Sequence, residues 1–148
     1  MRTLTWYIKT LAAPLVATAG AGAFAANLAI GIDNITEDGG VLRIAVYEAA
    51  NWLDEDPAKV IAGMAYDLAD REGDEPVVVN FDLEPGEYAA VVYHDVNANH
   101  VFDKNFLGIP KEPYAFSRGF RKMRRPDFED CKFVVGEDGA AITLALRG

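Results

Sequence analysis

Apolar side chains recur at every second position in several short stretches of this chain, and a period of two marks half-buried β-strands. Leu28, Ile30 and Ile32 begin the series. Val77, Val79, Phe81 and Leu83 alternate with Val78, Asn80 and Asp82, the cleanest strand pattern present. Ile142, Leu144 and Leu146 alternate in the same way near the end. Residues 41–47 are apolar on both sides except at Arg43, as expected of a strand covered on most of both faces. Residues 87–94 read as a strand rich in Tyr, Val and Ala, and 130–135 as a strand with Cys131, Phe133 and Val135 turned inward. Residues 58–69 are ambiguous, because Val60, Ile61, Met64, Tyr66 and Leu68 suit a helix or a strand about equally. Gly63 weakens a helix there by about 1 kcal/mol, and the neighbouring strands tip the reading to strand. Residues 51–57, around Trp52 and Leu53, read as a loop or a single helical turn.

Turn residues punctuate these runs. Gly39-Gly40 and the charged segment 71–75 separate strands. Pro85-Gly86 places Pro second and Gly third, which predicts a type II turn and a β-hairpin between its flanking strands. Residues 136–139 predict a second hairpin. The pattern gives an all-β fold: one domain over 26–148, an antiparallel β-sandwich of about seven strands, prealbumin- or immunoglobulin-like. One connection breaks the rhythm. Residues 95–126 span 32 positions with three prolines and no regular period. Connections that long in compact domains are usually functional or mobile.

The first 25 residues differ from the rest. Arg2 and Lys9 are their only charges, residues 10–25 carry none, and the stretch ends Ala23-Phe24-Ala25 before Ala26. A positive start, an apolar run and a small-x-small site predict a signal peptide cleaved after Ala25, and with it a secreted or periplasmic protein. The run is shorter and more diluted with Ala and Gly than a spanning helix, which needs about 20 strongly apolar residues. After processing, the chain is therefore not expected to be an integral membrane protein. Cleavage moves the formal charge from −9 to −11. So acidic a chain is expected to bind no nucleic acid, because phosphate backbones require a positive field. Cys131, the only cysteine, reads as a buried, inert residue.

The most informative chemistry lies in residues 94–103. Asp95, Asn97, Asn99 and Asp103 stand at positions 1, 3, 5 and 9 of an EF-hand-like loop, and Val101 at position 7 offers a backbone carbonyl. Calcium takes six to eight oxygens, so this set predicts a weak calcium site; Glu112 could reach back as a distant ligand, which spacing alone does not show. The pattern departs from an EF-hand in having His100 at position 6 and Phe106 at position 12. The alternative is a loop whose Asx side chains bond their own backbone. Catalytic patterns are sparse. Ser117 is the only serine, and His94 and His100 are the only histidines. No Gly-x-Ser-x-Gly, His-x-x-x-His or Gly-rich phosphate loop occurs. The catalytic alternative is a metal-assisted hydrolase centred on His94, Asp95 and Asp103.

The long connection also carries a candidate ligand or partner surface. Arg118, Arg121, Lys122, Arg124 and Arg125 fall within eight residues, which suits either a solvated loop or an anionic partner. Phe102, Phe106, Tyr114, Phe116 and Phe120 crowd the same stretch. They either cover the open end of the sandwich core, the favoured reading, or line a ligand groove.

Five stretches in order carry a family resemblance: 81–88 (Phe-Asp-Leu-Glu-Pro-Gly-Glu-Tyr), 94–99 (His-Asp-Val-Asn-Ala-Asn), 105–112 (Asn-Phe-Leu-Gly-Ile-Pro-Lys-Glu), Phe116-Ser117, and 126–130 (Pro-Asp-Phe-Glu-Asp). The chain resembles the exported bacterial family known as domain of unknown function 2141. That family has no established activity, so the resemblance implies no catalytic residues. Its members commonly have Gly where this chain has His100 and Ala115. The Leu-x-Pro-Gly-x-Tyr segment also resembles prealbumin-like and carboxypeptidase-regulatory-like sandwiches, which implies an accessory or binding module. Three expectations follow for function: a non-catalytic module for an envelope or extracellular ligand, the metal-assisted hydrolase, or an interaction subunit that pairs through a sheet edge.

Overall fold

A computed structural model describes residues 26–118 and 125–148, with side chains from Leu28 onward. Among the described residues, eight strands form two packed sheets. They are β1 (Ala26–Asp33), β2 (Val41–Tyr47), β3 (Ala62–Asp67), β4 (Val77–Leu83), β5 (Gly86–Asp95), β6 (Tyr114–Phe116), β7 (Phe133–Val135) and β8 (Ala140–Ala145). One sheet has the order β4-β1-β8, and the other runs β3-β2-β5-β6 with β7 beside the start of β5. The alternating patterns become the core: Leu28, Ile30, Ile32, Leu42, Ile44, Val46, Val79, Phe81, Val92, Phe133, Val135 and Leu144 are buried between the sheets. Alternation puts every second side chain inward, and burying these apolar faces drives the two sheets together.

The sandwich is as expected, but several connections differ. β1 pairs with β4 antiparallel and with β8 parallel, so the smaller sheet is mixed. Pro85-Gly86 does not close a hairpin. β4 pairs with β1 while β5 pairs with β2, so this turn carries the chain from one sheet to the other. Gly86 is not among the residues with positive φ, which excludes the type II geometry. Residues 136–139 likewise join β7 of one sheet to β8 of the other. A local turn signal fixes a reversal of direction, whereas the strand each arm joins depends on distant partners.

Two other segments are corrected. Residues 58–69 contain a strand only over Ala62–Asp67, flanked by short 3-10 turns at Pro57–Lys59 and Leu68–Asp70. Asp56 and Asp67 cap those turns by accepting the N–H groups of Ala58 and Ala69. Cys131 is buried as expected, but it ends a helical turn, Phe128–Cys131, instead of lying on a strand. The helical turn near Trp52 forms at Ala49–Asn51. The predicted signal segment and its cleavage point fall outside the described residues.

Candidate functional site

The rows of paired residues across the larger sheet define its two faces, because directly opposed residues share a face. Ile44 opposes Met64 and Val92, and Val92 opposes Ala115; this row points into the core. The rows on either side therefore point outward. One reads Ala65, Arg43, Tyr93, Tyr114, and the other Gly63, Ala45, Val91, Phe116. Small side chains lie on the β3 side and aromatic ones on the β6 side, so the outer face steps up from a floor to a ridge. The floor belongs to a shallow open groove of about 370 Å³, bounded by Pro57, Val60 and Ile61 and reaching Arg43.

The ridge is longer than the sheet rows alone. Phe102 packs on Tyr93 and Tyr114, with ring centroids 5.1 and 5.6 Å apart. Tyr114 meets Phe116 edge-on at 5.7 Å, and Trp52 continues from Phe116 to Phe128. Trp52 is fixed in place because its indole N–H donates to the Pro126 carbonyl at 2.8 Å, while Arg125 donates to the carbonyls of Trp52 and Leu53. The described aromatic residues of the long connection thus do not cover the end of the core. Phe102, Tyr114 and Phe116 pack on the outer face of the sheet, and Phe106 stands in solvent. Phe120, Arg121, Lys122 and Arg124 lie outside the described residues, and Arg118 is exposed.

At the Arg43 end, residues 95–112 fold back over the sheet edge and bury Asp95 completely. Arg43 Nε donates to Asp95 Oδ2 at 2.7 Å, and the backbone N–H groups of Asn99 and His100 donate to the same carboxylate at 3.0 and 2.9 Å. Burial by itself raises this carboxyl. The Arg43 hydrogen bond, the two amides and the Arg43 charge outweigh burial and hold it below its ordinary value. Sequence reading missed Arg43 as part of this site. The signal was present, since it is the single charge in an otherwise apolar strand. Glu112 does reach back, but to backbone: its carboxylate accepts the N–H groups of Val96 and Asp103 at 3.1 and 3.0 Å.

The remaining loop residues bond to one another. Asn97 Nδ2 and Asn99 Nδ2 both donate to Asp103 Oδ2, at 2.8 and 3.0 Å. Asn97 Oδ1 accepts from the Asn99 amide, and Asn99 Oδ1 from that of Val101. His100, where the resemblance has Gly, sits at φ 69°, and its Nδ1 accepts from Arg43 Nη2 at 3.0 Å. The left-handed backbone explains why Gly suits that position. Gly40, at φ 82°, approaches so closely that an added Cβ would lie 2.4 Å from the Asp95 carbonyl oxygen. Asp95, Asn97, Asn99 and Asp103 are therefore brought together, with Asp95 already neutralised by Arg43. Among the described residues, no three His, Cys, Asp or Glu are grouped to hold a metal ion.

The catalytic candidates do not converge. His94 and Asp95 are neighbours on β5 and so face opposite sides of the sheet. His94 points inward, where its Nε2–H donates to the Gly39 carbonyl and its buried Nδ1 has no partner. Ser117 is buried as well: its hydroxyl accepts from the Ala90 amide at 2.9 Å and donates to the Cys131 carbonyl at 2.6 Å. Burial, helped by the nearby Asp130 charge, pushes the Cys131 thiol up to about 11. No helix among the described residues is long and apolar enough to cross a membrane.

Comparison with known proteins adds one relationship. No curated protein and no solved structure matches the chain. Residues 30–143 match the family described as an uncharacterized protein conserved in bacteria (DUF2141), and that span is most of the chain. The protein therefore belongs to the DUF2141 family of uncharacterized bacterial proteins.

Proposed function

We propose that this is an exported, non-catalytic binding module of the bacterial cell envelope, and that its ligand lies along the outer face of the larger sheet. One observation carries the reading: a small-residue groove runs beside an aromatic ridge, while Asp95 and Ser117 are buried and committed to structural hydrogen bonds. Half-exposed aromatic side chains give contact area at small entropic cost, and their negative ring faces attract the polarised C–H faces of sugars. A polysaccharide strand fits this surface best. The N-terminal charge and apolar pattern supports export. The likeness to prealbumin-like and carboxypeptidase-regulatory-like accessory domains supports a binding role over a catalytic one. Titration with soluble cell-wall oligosaccharides, followed by Trp52 fluorescence, tests the reading. Binding should be saturable and should weaken at least tenfold in Tyr114→Ala and Phe116→Ala. An unchanged signal throughout, or release of cleaved sugar, contradicts it.

A second reading keeps a weak calcium ion at the 97–103 face as a structural brace. It is favoured by the convergence of Asn97 and Asn99 on Asp103 Oδ2. Turning both side-chain amides over would present two further oxygens at the same place, at the loss of the backbone hydrogen bonds that their Oδ1 atoms accept from Asn99 and Val101, and the Val101 carbonyl lies in the same loop. Asp95 adds little to such a site, because the Arg43 guanidinium occupies it.

A further inference from the structure

The 104–111 excursion is separate from the groove and carries an unusual tip. Phe106 is 95% exposed, Leu107 67% and Ile109 54%, although the aromatic ridge is close enough in the chain to have sheltered them. Three adjacent large apolar side chains displayed to water mark a docking surface. The tip is also rigidly built. Its base closes through the Lys104 and Pro110 bridge, Asn105 N–H donates to the Ile109 carbonyl at 2.8 Å, and Gly108 supplies the positive φ of the turn. Below, the Lys111 amide donates to the Asp103 carbonyl, and Asp103 hangs from the buried Glu112.

Two features indicate what the tip enters. First, three of its backbone N–H groups are already satisfied from within. The N–H groups of Leu107 and Ile109 donate to Asn105 Oδ1 at 2.9 and 3.0 Å, and that of Gly108 to the Asn105 carbonyl at 2.9 Å. A protein partner can offer acceptors to such groups, whereas hydrocarbon cannot, so internal pairing is what entry into lipid demands. Second, Lys104 and Lys111 flank the tip and are exposed, while the nearby acids are occupied: Glu112 by backbone amides and Asp103 by Asn97 and Asn99. Apolar side chains at the point with ammonium groups at the shoulder match the layers of a bilayer surface, acyl chains below and phosphates above.

We propose that the 106–109 tip docks the protein on an anionic phospholipid surface, inserting Phe106, Leu107 and Ile109 while Lys104 and Lys111 meet the phosphates. This places the sugar-binding face beside a membrane, and it stands whether or not that face binds sugar. The test puts a reporter at the tip of the full chain, so that binding by any other segment does not count. Phe106→Trp is mixed with vesicles of phosphatidylcholine alone or with phosphatidylglycerol, each also prepared with brominated acyl chains. On anionic vesicles the new indole should shift to the blue, and brominated lipid should quench it at least twofold more than the parent chain's fluorescence. Leu107→Asp in that background should abolish the quenching, and Lys104→Glu with Lys111→Glu should remove the preference for anionic vesicles. A water-like spectrum on every vesicle overturns the proposal. A blue shift that depends on protein concentration without lipid also overturns it, in favour of a second copy as the occupant.

Discussion

Arg43→Met is the most informative single change in the sandwich. It keeps the aliphatic stem of the side chain and removes only the charged head. Asp95 is then left fully buried with its two amide hydrogen bonds but no counter-charge. Breaking a buried pair from one side costs about 3–5 kcal/mol, because the surviving charge has lost its compensation. Arg43 retains some solvent contact, with 20% of its side chain exposed, so the lower end applies, about 3 kcal/mol. For a domain of this size 1 kcal/mol moves the melting temperature by roughly 3–5 °C, giving a fall of about 9–15 °C. Urea unfolding and thermal melts of the wild type, Arg43→Met, Asp95→Asn and the double variant complete the cycle. Adding Asp95→Asn to Arg43→Met should recover about 1–3 kcal/mol, since the buried charge is gone. Lys132→Met is the control: Lys132 bridges Glu87 and Glu129 in solvent, where screening leaves such pairs little effect, so its melt should stay close to that of the wild type. If Arg43→Met costs less than about 1 kcal/mol, the buried pair does not hold the loop as described.

The same carboxylate sets an acid response. Because the folded Asp95 carboxyl lies below its ordinary value, its contribution is fully present above about pH 4 and is lost as the pH falls through the lower folded value. Unfolding free energy should therefore drop below about pH 4 in the wild type, with a shallower slope in Asp95→Asn; equal slopes would contradict it. Gly40→Ala should destabilise by about 2–4 kcal/mol in denaturant titration, since it combines left-handed strain with a clash against the Asp95 backbone. Cys131, buried and with its thiol raised to about 11, should react with an aromatic disulfide at pH 8 only as fast as the protein opens, so rapid labelling of native protein would refute its placement. If the calcium reading holds, calcium at ten times its dissociation constant should add about 1.4 kcal/mol, a rise of roughly 4–7 °C. Magnesium should do less and Asp103→Ala should abolish the shift, whereas an unmoved melt leaves the loop to its own hydrogen bonds.

Much of the fold was legible because burial imposes period two on β1, β4 and β8, and those positions are the ones that fill the core. The turns were visible too, but not their consequences. Pro85-Gly86 reads as a hairpin locally, yet β4 is claimed by β1 and β5 by β2, choices made by residues about 40–60 positions away. The parallel β1–β8 pairing is equally non-local. β6 is only three residues long and carries no period of its own, so the ridge it completes with Tyr93 was hidden inside a connection that looked featureless. The Asx loop was found from its spacing, while its purpose there depended on Arg43, which lies 52 residues earlier in the chain. His94 and Asp95 looked like partners because they are adjacent in sequence, and adjacency on a strand is what separates them.

The central claim, that the outer face of the larger sheet is the binding surface, is tested most directly by amide chemical-shift mapping of the labelled protein with a soluble cell-wall oligosaccharide. The account predicts saturable shifts confined to the outward rows and their neighbours: Ala45, Gly63, Ala65, Val91, Tyr114, Phe116 and the Trp52 indole. Shifts centred instead on the β4 or β8 edges of the smaller sheet, or none at saturating sugar, would contradict it.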